Sequence, residues 1–387
     1  MPRLRVVVAP SGFKESLSAE EVAAALAAGI RAACPEAEVA ELPLVDGGEG
    51  FTETLVRTTA GELHTATVTG PVGDPVDARF GILGGDGPRT GVLEMAAAAG
   101  LRLVPRDKRD PLTTTTYGVG ELIAAVLDQG IERLLVGCGD SGTNDGGVGM
   151  AQALGVRLQE ADGTPIGRGG AALLALDRID LSARDARLAG VGIDVACNVH
   201  NLLCGPNGVA RVFGPQKGAS PETVDHLERA LDRYAEVVER DLGLDVREVP
   251  GGGASGGLGA GLMALLGATL HPRYDVVMRY LDLDGALATA DLVVTAEGGI
   301  DFQTPRGKVP AEVARRAKQR GLPVIALAGT VGKDAAINLD HGIDAFLSVV
   351  DAPMTLEDAV ARAPELVAAC AENVMRLVLI GRNLGDE

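Results

Sequence analysis

Short apolar runs that stop at a glycine-bearing loop and pass directly into a helix open and close this chain. That alternation restricts the chain to an α/β architecture. Residues 4–9 form one such run, broken at Pro10, and read as a buried parallel strand. Ser18 is followed three residues later by Glu21, a capping box that predicts a helix continuing over 22–33. A second strand is predicted over 39–45, ending at Asp46-Gly-Gly-Glu-Gly50, with a helix over 52–59. Near the C-terminus the spacing predicts strands over 291–295, 323–328 and 345–350, a helix over 308–320, and one or two helices over 356–379. The two ends of the chain therefore read as parts of one doubly wound parallel sheet.

Between them the grammar changes. Residues 65–69, 76–83 and 90–94 are short segments separated by Gly/Pro turns, which predicts antiparallel strands. Helices are predicted over 114–127 and 148–154, strands over 133–137 and 191–196, and an amphipathic surface helix over 221–241. The expected organisation is a discontinuous domain of residues 1–65 and 285–387 with an inserted mixed α/β domain of 66–284. A length of 387 residues suits two cores. Aromatics are 3% with no Trp, so Val, Leu, Ile and Ala must fill those cores.

A net charge of −18 argues against nucleic acid or an anionic membrane as partner, yet leaves room for a phosphorylated ligand neutralised locally by Lys or Mg²⁺. The five cysteines (Cys34, Cys138, Cys197, Cys204 and Cys370) are odd in number and lack C-x-x-C spacing, so buried free thiols in a reducing cytosol are expected. The N-terminus has no leader pattern and no apolar run reaches membrane-span length. A soluble cytoplasmic protein is the expectation.

Five loops could carry chemistry. Pro250-Gly-Gly-Gly-Ala-Ser-Gly-Gly-Leu-Gly-Ala-Gly261 runs into an apolar helix, so its backbone N–H groups and the helix dipole suit a phosphate; close helix packing explains it equally well. Its spacing matches neither a P-loop nor a dinucleotide fingerprint. Lys14, in Ser11-Gly-Phe-Lys14, could neutralise a phosphate or carboxylate, or be a solvated turn residue. Asp46 and Glu49 could hold Mg²⁺ or accept a hydroxyl proton, or cap a helix with Asp46 at its N-cap. Ser141-Gly-Thr-Asn-Asp-Gly-Gly147 offers short donors at a helix start, or is a plain hydrogen-bonded turn. Glu297 and Asp301 follow a buried strand, with Lys308 opening the next helix: a metal, an attacking hydroxyl and a phosphate could be served there, or only solvent. Histidines without metal spacing and the lack of G-x-S-x-G leave phosphoryl transfer as the favoured chemistry.

Lys14-Glu-Ser-Leu-Ser-Ala19, Asp46-Gly-Gly-Glu-Gly50, Thr143-Asn-Asp-Gly-Gly147, Phe213-Gly-Pro-Gln-Lys-Gly-Ala219, Gly256-Gly-Leu-Gly259 and Gly307-Lys308 occur in one order over essentially the whole chain. In these motifs the sequence resembles the bacterial glycerate kinases that form 2-phosphoglycerate from D-glycerate and ATP. The resemblance implies a flavodoxin- or Rossmann-like domain built from both chain ends, an inserted domain, and an active site in the cleft between them. It implies ATP and Mg²⁺ as cofactors and a small hydroxylated acid as substrate. Asp46, Glu297, Asp301, Lys14 and Lys308 would be catalytic, with Asp46 and Asp301 on the metal. Ser11, Asn144, Asn198, Asn201 and Gly299 would face the substrate. Gly252, Gly253, Ser255, Gly256 and Gly257 would cradle the nucleotide. A homodimer is compatible with this reading.

Several motif positions depart from the family pattern. Ser11-Gly12 stands for an Asp-Ser pair, Asn198 for an Asp, Leu202 for a Pro, and Gly299 for the Arg of G-E-G-R-I-D; the Ser141–Gly147 loop is approached through Gly139-Asp140-Ser141 in place of G-G-S/T. A lost guanidinium removes the natural fork for a small carboxylate. Either the D-glycerate site is unchanged, or the acceptor is a bulkier sugar acid or nucleoside-like molecule. A non-catalytic sensor with a decayed site is a further reading, and an NAD-dependent oxidoreductase a weaker one.

Overall fold

The computed structural model describes residues 3–13, 16–45 and 47–385. Lys14 and Asp46, both expected in the site, lie outside the described residues. The chain divides into two compact units, Met1–Val45 with Met278–Glu387, and Asp46–Val277. The divisions differ from the expected 65 and 285.

The first unit opens with β1 (Arg5–Val8), α1 (Ala19–Ala33) and β2 (Glu38–Glu41). Ser18 begins α1 as its sequence requires: its Oγ accepts the Glu21 N–H at 3.2 Å, and Glu21 Oε2 accepts the Ser18 N–H at 2.8 Å. β2 is shorter than expected. It forms one edge of its sheet, and glutamates at both of its ends suit an exposed edge.

The second unit follows with α2 (Phe51–Thr58), β3 (Glu62–Thr69), β4 (Pro75–Ile82), β5 (Thr90–Glu94), α3 (Ala96–Ala99), α4 (Tyr117–Leu127), β6 (Arg133–Gly137), α5 (Val148–Ala153), β7 (Arg157–Gln159), β8 (Arg178–Asp180), β9 (Gly192–Cys197), α6 (Val209–Phe213), α7 (Pro221–Leu242), α8 (Ala254–Leu266) and β10 (Thr269–Pro272). Six of its strands form one sheet in the order β10-β9-β6-β5-β4-β3. β3, β4 and β5 run antiparallel to their neighbours in that series, and β5, β6, β9 and β10 pair in parallel. Because β3 pairs with β4 from Glu62 to Thr69, it belongs wholly to this mixed sheet, and the first division falls before α2. Tyr234 and Phe51 are its largest fully buried side chains; Val, Leu, Ile and Ala supply most of the rest.

After α9 (Arg273–Leu281) and α10 (Leu283–Leu287), the first unit resumes with β11 (Leu292–Ile300), α11 (Val309–Lys318), β12 (Val324–Val331), β13 (Ala345–Ser348), α12 (Leu356–Ala361) and α13 (Ala363–Gly385). Its five strands are all parallel, in the order β13-β12-β11-β1-β2. Val6, Val8, Leu292 and Val294 of the central strands pack with Leu26 and Ile30 of α1 and Leu366 and Val367 of α13. Among the described residues no helix is long and apolar enough to cross a membrane.

Candidate active site

In an open parallel sheet, ligands bind beyond the carboxyl ends of the strands. In the first unit the main chain stays zipped past the end of β1. The Ala9 N–H donates to Val294 O at 2.9 Å and the Ser11 N–H to Ala296 O at 2.8 Å; Ser11 Oγ also donates to Ala296 O, at 3.2 Å. Ser11 is thereby held against the residue that precedes Glu297. β11 runs on five residues beyond its expected end, because Glu297 and Gly299 keep register with Ala328 and Thr330 of β12.

Three side chains meet there. Lys308 Nζ stands 3.8 Å from Glu297 Oε1 and 3.7 Å from Asp301 Oδ1, and donates to Gly299 O at 3.2 Å. Local bonds fix the Asp301 turn: its N–H donates to Thr304 Oγ1 at 3.1 Å, its Oδ1 accepts the Gln303 N–H at 2.8 Å, and its carbonyl accepts from Asn338 Nδ2 at 3.0 Å. Lys308, Glu297 and Asp301 keep 29%, 22% and 31% of their side chains exposed, enough for an incoming ligand to reach them. The expected residues Ser11, Glu297, Gly299, Asp301 and Lys308 thus come together in one unit. A Cβ on Gly299 would meet nothing nearer than Thr330 O at 3.9 Å, so this position is open.

The second unit gathers the remaining expected residues. Asn198 Oδ1 accepts the His200 N–H at 3.1 Å in a local turn, and Asn201 O accepts the Gly253 N–H at 3.0 Å. Ser255, Gly256 and Gly257 take left-handed backbone with φ of 53°, 72° and 90° inside the first turns of α8. Only a residue without a Cβ fits at Gly256, where that atom would lie 2.0 Å from Thr143 O. Gly252 and Gly253 are buried in the same turn. These glycines therefore bring α8 against the 143–147 loop, as the packing alternative required. The group suited to an oxyanion is polar: Ser255 Oγ, Thr143 Oγ1 and both amide atoms of Asn144 are buried without a hydrogen-bond partner among the described residues, and the Cys138 thiol lies beside Ser255.

Four residues outside the expected set shape this unit. Glu94, at the end of β5, accepts the Gly50 N–H at 3.2 Å and the Thr52 N–H at 2.9 Å, and so caps α2. Gly50, in left-handed backbone, is the N-cap, the position that the capping alternative gave to Asp46. Burial pushes the Glu94 carboxyl up to about 7, against the pull of those two N–H groups. Asp140 Oδ2 accepts the Glu49 N–H at 3.2 Å, bracing the chain just before α2. Lys217 and Asp145 are buried; desolvation pulls the Lys217 ammonium down to about 7, with Asp145 opposing, and raises the Asp145 carboxyl. Lys217 had a sequence signal, its motif, but nothing in the local pattern marked it for burial.

Comparison with known proteins decides the family. The sequence model of the Glycerate kinase family matches residues 6–379. The chain belongs to the glycerate kinase family. Glycerate kinase of Bacillus subtilis (strain 168) is 47% identical over 98% of this chain and 99% of its own length. Glycerate 2-kinase of Escherichia coli (strain K12) is 47% identical over 99% of this chain and 100% of its own. A crystal structure carrying the name glycerate kinase 2, from Salmonella typhimurium LT2, is 48% identical, covers 98% of this chain and 100% of its own, and superposes with a TM-score of 0.84. Membership makes this protein an ATP-dependent phosphotransferase with an alcohol as acceptor. The sensor and oxidoreductase readings fall with it.

The metal was expected on Asp46 and Asp301. Among the described residues no group of three or more His, Cys, Asp or Glu is placed to hold an ion. Glu297 and Asp301 are hard oxygen donors, but Lys308 already lies between them. One or two carboxylates suit Mg²⁺ that keeps its waters and arrives bound to nucleotide phosphates, so the residues present fit such an ion and not a dedicated protein cage.

Proposed function

We propose that this protein transfers the γ-phosphoryl group of ATP to the 2-hydroxyl of D-glycerate, giving 2-phosphoglycerate and ADP. The observation that carries this reading is the Glu297–Lys308–Asp301 cluster, partly exposed at the carboxyl end of β11. A carboxylate there accepts the proton as the hydroxyl attacks, and the Lys308 ammonium offsets charge on the transferred group. Mg²⁺ on Asp301 would supply further charge neutralisation at the phosphates. In the second unit, Ser255, Thr143 and Asn144 would receive oxyanion oxygens, with the Gly252–Gly257 backbone holding them in place. Ser11, Asn198 and Asn201 would orient the acceptor. Five unpaired cysteines fit a cytosolic location.

One observation favours a second reading, a bulkier hydroxylated acid as acceptor. Gly299 occupies the motif Arg position and its surroundings are open. ADP release measured with D-glycerate, larger sugar acids and nucleosides separates the two. Highest kcat/KM with D-glycerate supports the first; preference for a larger acceptor by tenfold or more, on the order of one well-placed contact, replaces it with the second.

A further inference from the structure

Phe213-Gly-Pro-Gln-Lys-Gly-Ala219 has no part in the chemistry above, yet its lysine is 2% exposed. Lys217 Nζ donates to Thr143 O at 2.6 Å and to Ser141 Oγ at 2.9 Å, both in the turn after β6. Farther along that turn, the Asp145 carboxylate accepts from the Thr116 N–H at 2.8 Å, the Thr116 hydroxyl at 3.0 Å and the Gly147 N–H at 3.2 Å. A cation thus grips one end of the turn and an anchored carboxylate the other.

Asn144 lies between them. It is 0% exposed, and its Oδ1 and Nδ2 have no hydrogen-bond partner among the described residues, nor has Thr143 Oγ1. α8 closes the opposite side, with the Gly146 N–H donating to Gly256 O at 3.0 Å. Each unpartnered buried polar group is left without the hydrogen bonds it had in water, a cost to folding. A buried ammonium adds its own desolvation cost, and well-packed apolar residues would be as stable or more so. Stability alone does not account for the arrangement.

We propose that Lys217 is a positioning residue for phosphoryl transfer: it fixes the Ser141–Thr143 main chain so that the Asn144 amide and Thr143 hydroxyl stay available to an oxyanion of the reactants. This rests on the kinase reading above. The oxyanion is either the glycerate carboxylate or a nucleotide phosphate.

The test is a double-mutant cycle on the full chain, K217M with N144A, reading kcat and KM for ATP and for D-glycerate alongside circular dichroism and thermal melting. K217M should lower kcat/KM about 100-fold, the cost of a misplacement near 1 Å, and K217R should recover part of it. The K217M/N144A double variant should fall no more than about threefold below the worse single variant, because both remove the same contact. A rise in KM confined to D-glycerate assigns the carboxylate; one confined to ATP assigns the phosphate. Losses that multiply, or a folded K217M with wild-type kcat/KM, overturn the proposal. Should K217M not fold, the S141A and N144A cycle decides by the same rule, with multiplying losses again contradicting it. Failure of the kinase reading looks different: the wild type would then consume no ATP with glycerate.

Discussion

Lys308 in the first unit and Lys217 in the second both stand near carboxylates, and their surroundings differ in two respects. Lys308 keeps 29% of its side chain exposed and stands 3.7–3.8 Å from two acids, beyond direct hydrogen-bond distance. Lys217 is sealed, and spends its donors on a hydroxyl and a carbonyl at 2.9 and 2.6 Å. The loosely paired, reachable ammonium can change partners when a phosphate arrives. The sealed one cannot do so without opening the fold. Lysines and acids alone therefore do not mark an active centre; unfilled bonding capacity does.

The contrast breaks most readily at Asp301. Asp301→Asn should lower kcat by about 10²–10⁴-fold with the melting temperature little changed, since it removes a carboxylate from an exposed site. Near-normal turnover would move the chemistry elsewhere. Gly256→Ala should act in the opposite sense, on folding. A Cβ there would lie 2.0 Å from Thr143 O at a φ of 72°, so a loss of more than about 4 kcal/mol in denaturant unfolding is expected.

Glu94 sharpens the comparison through pH. Its carboxyl is raised from 4.5 to about 7, so the native state holds this proton more tightly than the unfolded chain. The stability it contributes is present below pH 4.5 and is lost as pH rises towards 7, by about 3 kcal/mol. Urea midpoints of the wild type and Glu94→Gln at pH 5 and pH 7 measure it. The wild type should lose stability relative to the variant over that interval; parallel pH profiles would contradict the account. The smallest effect belongs to Gly299. Gly299→Ala should change stability by under about 0.5 kcal/mol, because the added Cβ meets nothing within 3.9 Å. Gly299→Arg should lower KM for D-glycerate by supplying a guanidinium fork, and an unchanged KM would show that this position does not face the substrate.

Local signals carried much of this. The Ser18–Glu21 capping box placed α1, and the glycine loops marked the ends of strands where Glu297, Asp301 and Lys308 converge. What the sequence hid was long-range pairing. The apolar run of β11 ends at Thr295, yet the strand continues to Ile300 because β12 lies alongside it. Glu94 caps α2 from 42 residues away, a pairing that no local pattern around residues 46–50 reveals. The burial of Lys217 depends on Ser141 and Thr143, more than 70 positions earlier, to which its ammonium donates.

The most direct measurement is phosphorus NMR of wild type and Asp301→Asn incubated with ATP, Mg²⁺ and D-glycerate. The account expects a 2-phosphoglycerate resonance growing with ADP in the wild type and essentially none in a folded variant. Phosphorylation at another hydroxyl, or equal product from both proteins, would contradict it.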